Sequence, residues 1–397
     1  MPSRTEATFA PPVMEARRWL AEATLPPTLP LLNVSQAAPV APPPEALRDA
    51  MARALAAPET HLYGPVLGRP ELRAALAADW ARHYGGPVAA DEVAITAGCN
   101  QAFAATIAAL TTEGDEVVVP VPWYFNHKMW LDMAGVRAVS LATGPDLLPS
   151  ADAARALVGP RTRAIALVSP NNPAGVEYPA ATLRAFRDLA AAAGITLIVD
   201  ETYRDFDSRA GAPHDLRAGG PDPHLVQLYS FSKAYRLTGH RVGAIVGPPS
   251  LMPEVEKFLD TVAICAPQLG QIAAAHGLAH LGDWVAGERA EILGRRAAIE
   301  AQMPALAAKG WQCLGLGAYF AYLAHPFAEP SDTLARALVS DAGILCLPGT
   351  MFRAADDPLG ARELRIAFAN IDADGIATLF GRLAALDRPL ASRAARA

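Results

Sequence analysis

The stretch "VAITAGCNQAFAATIAAL", Val93 to Leu110, carries no charged side chain and is long enough on paper to span a bilayer. Its Thr, Gly, Asn and Gln residues argue against a membrane span. It reads instead as a buried strand, a turn and the opening of a helix. The same grammar recurs through the middle of the chain: a short β-branched apolar run, a Gly/Pro/Asn turn, then an Ala/Leu-rich stretch with helical spacing. The runs are "EVAITAG" from 92, "DEVVVPVP" from 115, "VRAVSLA" from 136, "RAIALVSP" from 163, "ITLIVDE" from 195, "LVQLYSFS" from 225 and "VGAIVGP" from 242. Several lack apolar/polar alternation, as expected of strands buried on both faces. Helical stretches such as "TLRAFRDLAAAAG", ending at Gly194, sit between them. This alternation predicts an α/β sheet with helices on both sides, whose ligands bind at the carboxyl ends of the strands.

After about residue 285 the pattern changes to a long charged helix, "DWVAGERAEILGRRAAIEAQMPALAAKG", then strands "YFAYLAH" and "GILCLPG" and a closing helix near 372–386. That is the pattern of a separate, smaller α+β unit. The Pro-rich "AAPVAPPPEAL" over 37–47 reads as an extended connector. The expected division is therefore 1–45 as an N-terminal arm and connector belonging to the small domain, 46–285 as the large domain, and 286–397 as the small C-terminal domain.

The chain has 397 residues, 52% of them hydrophobic, with 34 Lys plus Arg against 40 Asp plus Glu, a net charge of −6. A nucleic-acid binder would normally be basic, so no nucleic-acid partner is expected. Cys99, Cys265, Cys313 and Cys346 lie far apart without a CxxC pair, which suggests neither a zinc site nor a disulfide framework. A reducing cytoplasm fits best. The opening "MPSRTEATFAPPVMEARRWL" lacks the continuous apolar core of a signal peptide.

The segment richest in chemistry is "LYSFSKAYRLTGHRVGAIVG", 228–247. Lys233 lies just past an apolar strand, at a partly desolvated sheet edge where a lysine acts as a nucleophile. Arg241 follows eight residues on, between Gly239 and Gly243. A lysine for an aldehyde and an arginine for a phosphate together suggest pyridoxal 5′-phosphate. Taken alone, such a pair reads more readily as solvated surface. Upstream, "GITLIVDETYRDF" ends a buried strand with Asp200 and presents Tyr203. A carboxylate there suits a protonated pyridine nitrogen, and the plain alternative is a helix N-cap.

With these residues in place, the chain resembles the class I/II aminotransferases, fold-type I pyridoxal-phosphate enzymes, from about residue 30 to 370. The resemblance implies a mainly parallel central sheet, with 46–285 as the cofactor-binding domain. It places Asn172 of "SPNNPAG" at the cofactor's phenolic oxygen, with Tyr203 of "VDETY" at the same atom and Asp200 at the ring nitrogen. In "SFSKAYRLTGHR" it makes Lys233 the Schiff-base lysine and puts Ser230, Ser232 and Arg241 around the phosphate. In "ITAGCNQAF" the backbone N–H groups of Cys99 and Asn100 would meet the same anion, with the Cys99 sulfur uninvolved. "PWYFNHKMW" supplies the ring that stacks on the cofactor, Tyr124 or its rival Trp123, and His127 behind Asp200. "YGPVLGRPELRAAL" makes Tyr63 a phosphate contact to the neighbouring subunit, so the resemblance implies a homodimer. "ELRIAFAN" supplies Arg365 as the clamp for the substrate α-carboxylate. At single positions plainer readings stand beside these: a core aromatic at Tyr63, a satisfied helix residue at His127, a turn former at Ser232.

The implied activity is ping-pong amino transfer from an L-amino acid to a 2-oxo acid, with Lys233 moving the proton. Other reactions open to the same scaffold are those of a Cβ–S lyase, an oxidase or a decarboxylase. Two departures bear on substrate. "SQAAPVAP" has Ala37 and Ala38 where many relatives have a glycine whose backbone amide lies near the substrate carboxylate; the added methyl groups either narrow the pocket or restrict φ and so bear on substrate size, with Ala38 as the substrate contact. Arg353 in "LPGTMFRAA" replaces a glycine and either faces solvent or meets an acidic substrate tail. Trp123, Ala37 and Met351 are the expected pocket walls. A different class, a Ser-x-x-Lys hydrolase with Ser230 as nucleophile, is disfavoured because Tyr124-Phe125-Asn126 precedes that motif and no Lys-Thr-Gly follows. No GxGxxG follows a strand, which excludes a nicotinamide dehydrogenase. The segment ahead of the first motif is too short for a regulator's DNA-binding module.

Overall fold

All seven apolar runs form strands in the computed structural model, which describes residues 3–25 and 28–392. After a two-residue strand β1 (Leu32–Asn33) come β2 (Val93–Thr96), β3 (Glu116–Val121), β4 (Arg137–Ala142), β5 (Thr162–Val168), β6 (Thr196–Asp200), β7 (Leu225–Ser230) and β8 (Gly243–Val246). These last seven make one sheet in the order β2-β8-β7-β6-β5-β3-β4. β8 runs antiparallel to both its neighbours, and the other pairs are parallel.

Both faces are covered, which explains the missing alternation. Ala94, Val117, Val119, Ala166, Ile198 and Val226 pack under helices Cys99–Leu110 and Met252–Ala263. On the opposite face Val93, Ile95 and Tyr229 pack against helices Pro70–Tyr84 and Gln268–His280, and Ile165, Leu197 and Val199 pack against helix Ala180–Ala193. The two-residue period therefore puts Asp200 on the same face as Ile198, toward helices Cys99–Leu110 and Phe125–Ala134. Its successor Glu201 turns to the other face, where Tyr84, His214 and Gln227 donate to it at 2.5, 2.8 and 2.6 Å.

The C-terminal part contains helix Gly282–Ala307 and strands β9 (Gln312–Gly317), β10 (Phe320–Ala324), β11 (Ile344–Leu345), β12 (Leu347–Pro348) and β13 (Glu363–Ala367). β12-β13-β10-β9 form an antiparallel sheet, and β11 pairs in parallel with β1. Two of these strands were not visible as such in the sequence: β9 is interrupted by glycines, and β13 is a short run enclosing an arginine. "GILCLPG" is split at Cys346 into two short strands that serve different sheets. The β1–β11 pairing has a consequence for the site. It fixes the following chain so that Val34 accepts from the Ala367 N–H at 2.8 Å, beside Arg365.

Candidate active site

Two adjoining cavities, each of about 320 Å³, open where β2, β5, β6 and β7 end and β8 begins. Because β8 is reversed, Arg241 reaches this edge just before its strand, whereas Asp200 and Ser230 reach it at the ends of theirs. The cavities share Gln36, Tyr124, Asn126, Asn172, Tyr203 and Lys233. The inner one adds Ala38, Cys99, Asn100, Asp200, Ser230, Ser232 and Arg241, and the outer one adds Ala37, Phe125 and Arg365. A larger cleft of about 1050 Å³ between the end of β3 and the small sheet contains none of the shared residues.

The inner cavity is built for an anion at one end. Gly98, at φ +86°, turns β2 into helix Cys99–Leu110, whose first N–H groups have no acceptor within the helix. A Cβ on Gly98 would lie 2.2 Å from Nη2 of Arg241, and one on Gly243 would lie 2.6 Å from the Cys99 nitrogen. The two glycines thus let the guanidinium and the helix start come together. Arg241, itself at φ +50°, is held by Nη1 donating to the Thr238 carbonyl at 2.9 Å. Ser230 caps the short helix that carries Lys233, accepting from the Ser232 N–H at 3.3 Å.

At the other end Asp200 is buried, and its Oδ2 lies 3.1 Å from Nε2 of His127, a close pair short of linear hydrogen-bond alignment. Oδ1 accepts from the Thr202 N–H at 2.9 Å and the Cys99 thiol at 3.6 Å. Burial alone would raise the Asp200 pKa, but His127 and Thr202 outweigh it and hold the carboxyl below its ordinary range. His127 is fixed by stacking on Phe103 at 3.8 Å and by the edge of Tyr124 at 4.9 Å. The Cys99 sulfur thus faces Asp200, a contact the sequence did not suggest. Burial first, and then the Asp200 charge, push that thiol's pKa up and keep it a neutral donor.

The sequence has four lysines, Lys128, Lys233, Lys257 and Lys309. Lys128 pairs with Asp132 at 2.5 Å, Lys257 with Glu254 at 2.7 Å, and Lys309 is exposed. Lys233 lines both cavities and donates to the carbonyl of Ala37. Desolvation, aided by the charges of Arg365 and Arg241, pushes its pKa down to about 8. Buried Arg365 donates from Nη1 to Asn172 Oδ1 at 3.0 Å and from Nη2 to the Ser35 carbonyl, while its buried Nε has no partner. Burial lowers its pKa to about 10, so it remains a cation at neutral pH.

A family model for aminotransferases of class I and II matches residues 30–383. The chain belongs to this family. Valine–pyruvate aminotransferase of Mycobacterium tuberculosis is 32% identical over 358 residues, 87% of this chain and 88% of the relative. The aspartate/prephenate aminotransferase of Thermus thermophilus is 29% identical over 321 residues, 78% of this chain and 81% of the relative. Among solved structures, an aminotransferase from Mycobacterium tuberculosis aligns at TM-score 0.86 and 30% identity, covering 97% of this chain and 98% of that one. Aspartate aminotransferase from Thermus thermophilus, solved with maleate, aligns at TM-score 0.86 and 26% identity, covering 97% and 98%. The protein is accordingly an aminotransferase with the fold of this family.

Within this aminotransferase, the rival stacking residues separate. Tyr124 lines both cavities, whereas Trp123 is buried in the core beneath the sheet. Met351 packs on the small-domain core and is in neither cavity wall. Tyr63 lies outside both cavities and is 79% exposed. Arg353 satisfies neither alternative expected of it: it is buried, paired with Glu363 at 2.6 Å and Asp357 at 2.9 Å. Residues given no role in this chemistry from sequence also line the cavities, among them Gln36, Asn126, Thr202 and Thr238. Thr202 and Asn126 were within reach of sequence reasoning, each two residues from a recognised side chain. No helix among the described residues is long and apolar enough to cross a membrane.

Proposed function

We propose that this aminotransferase holds pyridoxal 5′-phosphate in the inner cavity and carries an amino group from an L-amino acid to a 2-oxo acid in a ping-pong cycle that depends on Lys233. The residues present fit that cofactor. Free helix N–H groups, Arg241, Ser230 and Ser232 suit its phosphate, and Gly98 and Gly243 leave the space. An ionised, buried Asp200 suits its ring nitrogen, Tyr203 and Asn172 its phenolic oxygen, and Tyr124 its face. When bound, pyridoxal 5′-phosphate supplies an aldehyde that condenses with amines and a ring that accepts the electron pair left at the substrate Cα.

The chain's own residues do the rest. Arg365 binds the α-carboxylate through a fork already oriented by Asn172 and Ser35. Lys233 would take the Cα proton on Nζ and hand it to the cofactor's former aldehyde carbon, and the second half of the cycle would run that transfer in reverse, a task suited to an amine whose pKa lies near 8. Asp200 keeps its charge although buried, because His127 lies close to one oxygen and the Thr202 N–H and Cys99 thiol donate to the other. Residues 46–285 act as the cofactor-binding domain, with 1–45 and 286–397 as the smaller domain that brings Ala38 and Arg365.

The active unit on this reading is a homodimer. Leu62 and Tyr63 are 65% and 79% exposed, and the adjoining Gly64 N–H meets Cys265 at 3.4 Å, next to exposed Ile264. Such an apolar patch suits a second copy of the chain.

The observation that carries the reading is that Lys233 lines the same cavity as Asp200 and Arg241. The test is amino transfer from a panel of donors to pyruvate or 2-oxoglutarate, with the visible-edge absorbance of the enzyme followed in parallel. Transfer and absorbance that are both lost in Lys233→Ala support it. A colourless wild type, or full turnover in the variant, contradicts it.

A further inference from the structure

The outer cavity carries three cations, Lys233, Arg365 and Arg17, and no Asp or Glu lines it. Arg17 comes from helix Pro12–Glu22, which lies over the mouth. Its position follows from helical spacing. Ala16 and Trp19 are buried against the small-domain core, and Arg336 stacks on the Trp19 ring at 4.6 Å. Val13, Met14 and Arg17, related by three and four residues, form the face toward the cavity.

Of the two acids on this helix, exposed Glu22 makes no ion pair with Arg17, and Glu15 is engaged elsewhere: it accepts from Arg18 at 2.9 Å, Trp19 at 2.9 Å and Arg336 at 3.2 Å. Arg17 is left with neutral partners, donating to Gln36 Oε1 at 3.0 Å and contacting the sulfur of Met14. Among the described residues it forms no ion pair. Gln36 lines both cavities, so this hydrogen bond ties the arginine to the wall between them.

The other arginines near the site are committed. Arg353 is neutralised by Glu363 and Asp357, and Arg241 stands at the anion end of the inner cavity. With Lys233 assigned to the cofactor and Arg365 to the α-carboxylate, one positive charge remains without a counter-ion.

We propose that Arg17 is the specificity residue for a second, distal carboxylate, and that one half-reaction of this enzyme uses a dicarboxylic amino acid and 2-oxo acid pair. This rests on the functional reading above. Arg17 turns from the Gln36 oxygen to the substrate anion, while Val13, Met14 and Phe125 enclose the carbons between the two carboxylates. A monocarboxylate of the same length meets the same walls but leaves Arg17 on Gln36.

The test compares 2-oxoglutarate with 2-oxopentanoate, its neutral analogue of equal chain length, as acceptors for wild-type holoenzyme and for Arg17→Gln, Arg17→Lys and Arg18→Gln. Calorimetric binding of glutarate to the holoenzyme is measured alongside. Arg17 is exposed, so its replacement leaves the fold intact. The expected result is a roughly tenfold loss of kcat/KM for 2-oxoglutarate in Arg17→Gln with 2-oxopentanoate unchanged, a matching weakening of glutarate binding, and partial recovery in Arg17→Lys. Arg18→Gln, which loses only a surface pair with Glu15, behaves as wild type. Equal losses with both acceptors, or unchanged selectivity and glutarate binding, overturn the assignment of Arg17. Wild-type enzyme inactive with both acceptors and every donor overturns the underlying functional reading instead.

Discussion

Nε2 of His127 lies 3.1 Å from Oδ2 of Asp200, and the thiol of Cys99 and the N–H of Thr202 approach the other oxygen at 3.6 and 2.9 Å. This surround holds a buried carboxylate in its charged form. Asp200→Asn removes the charge and is expected to lower kcat about a thousandfold. His127→Ala removes one support. It should cost about tenfold and move the acid limb of the kcat/KM profile to higher pH, because the Asp200 carboxyl then protonates more readily. An unmoved acid limb would show that His127 does not hold the charge.

Lys233 titrates near 8 because its amine is desolvated and faces Arg365 and Arg241. Capture of an added aldehyde by cofactor-free protein should therefore rise with pH around 8. Arg365→Ala removes a neighbouring cation, so the midpoint should move up toward the ordinary lysine range. Stability follows with a definite sign. Between about 8 and 10.5 the unfolded chain keeps a proton that the folded protein has released, so stability rises with pH across that window. Below about 8 the cost of burying the charged amine is fully present. Thermal unfolding of Lys233→Met, compared with the wild type at several pH values, isolates this contribution.

Gly98→Ala places a methyl 2.2 Å from Nη2 of Arg241 at φ +86°. Cofactor affinity should fall by roughly tenfold or more, with about 1–2 kcal/mol lost in stability. Gly194→Ala is the control: φ is +65° but nothing lies within 4 Å. It should lose about 1 kcal/mol of stability without changing cofactor affinity.

Sedimentation should give twice the chain mass. Leu62→Glu with Ile264→Glu places charge in the exposed apolar patch beside Gly64 and Cys265, and should yield a monomer with weakened cofactor binding. Tyr63→Phe should keep the dimer and weaken cofactor binding alone. A fully active monomer contradicts the shared site.

The seven strands of the large sheet were legible because burial on both faces leaves apolar runs bounded by turn residues, and Asp200, Ser230 and Lys233 were legible as the residues at strand ends. Less visible was anything set by contacts between distant segments. β9 and β13 lack an apolar signature of their own, and the pairing of β1 with β11, which brings Ser35 to Arg365, joins residues three hundred positions apart. Arg353 looked free because its partner Glu363 lies ten residues on, at the start of β13. Arg17 could not be told from Arg18 until the helix face was known, since one residue of rotation decides which arginine meets the cavity.

The proposed cycle requires Lys233 to be the residue joined to the cofactor. Borohydride reduction of the holoenzyme followed by peptide mass spectrometry tests it directly, because the chain offers four lysines on separable segments. A reduced pyridoxyl-phosphate mass is expected on the peptide containing Lys233, prevented when a saturating amino donor is added before the reductant. The same mass on Lys128, Lys257 or Lys309 instead, or no stable adduct on a coloured enzyme, would contradict it.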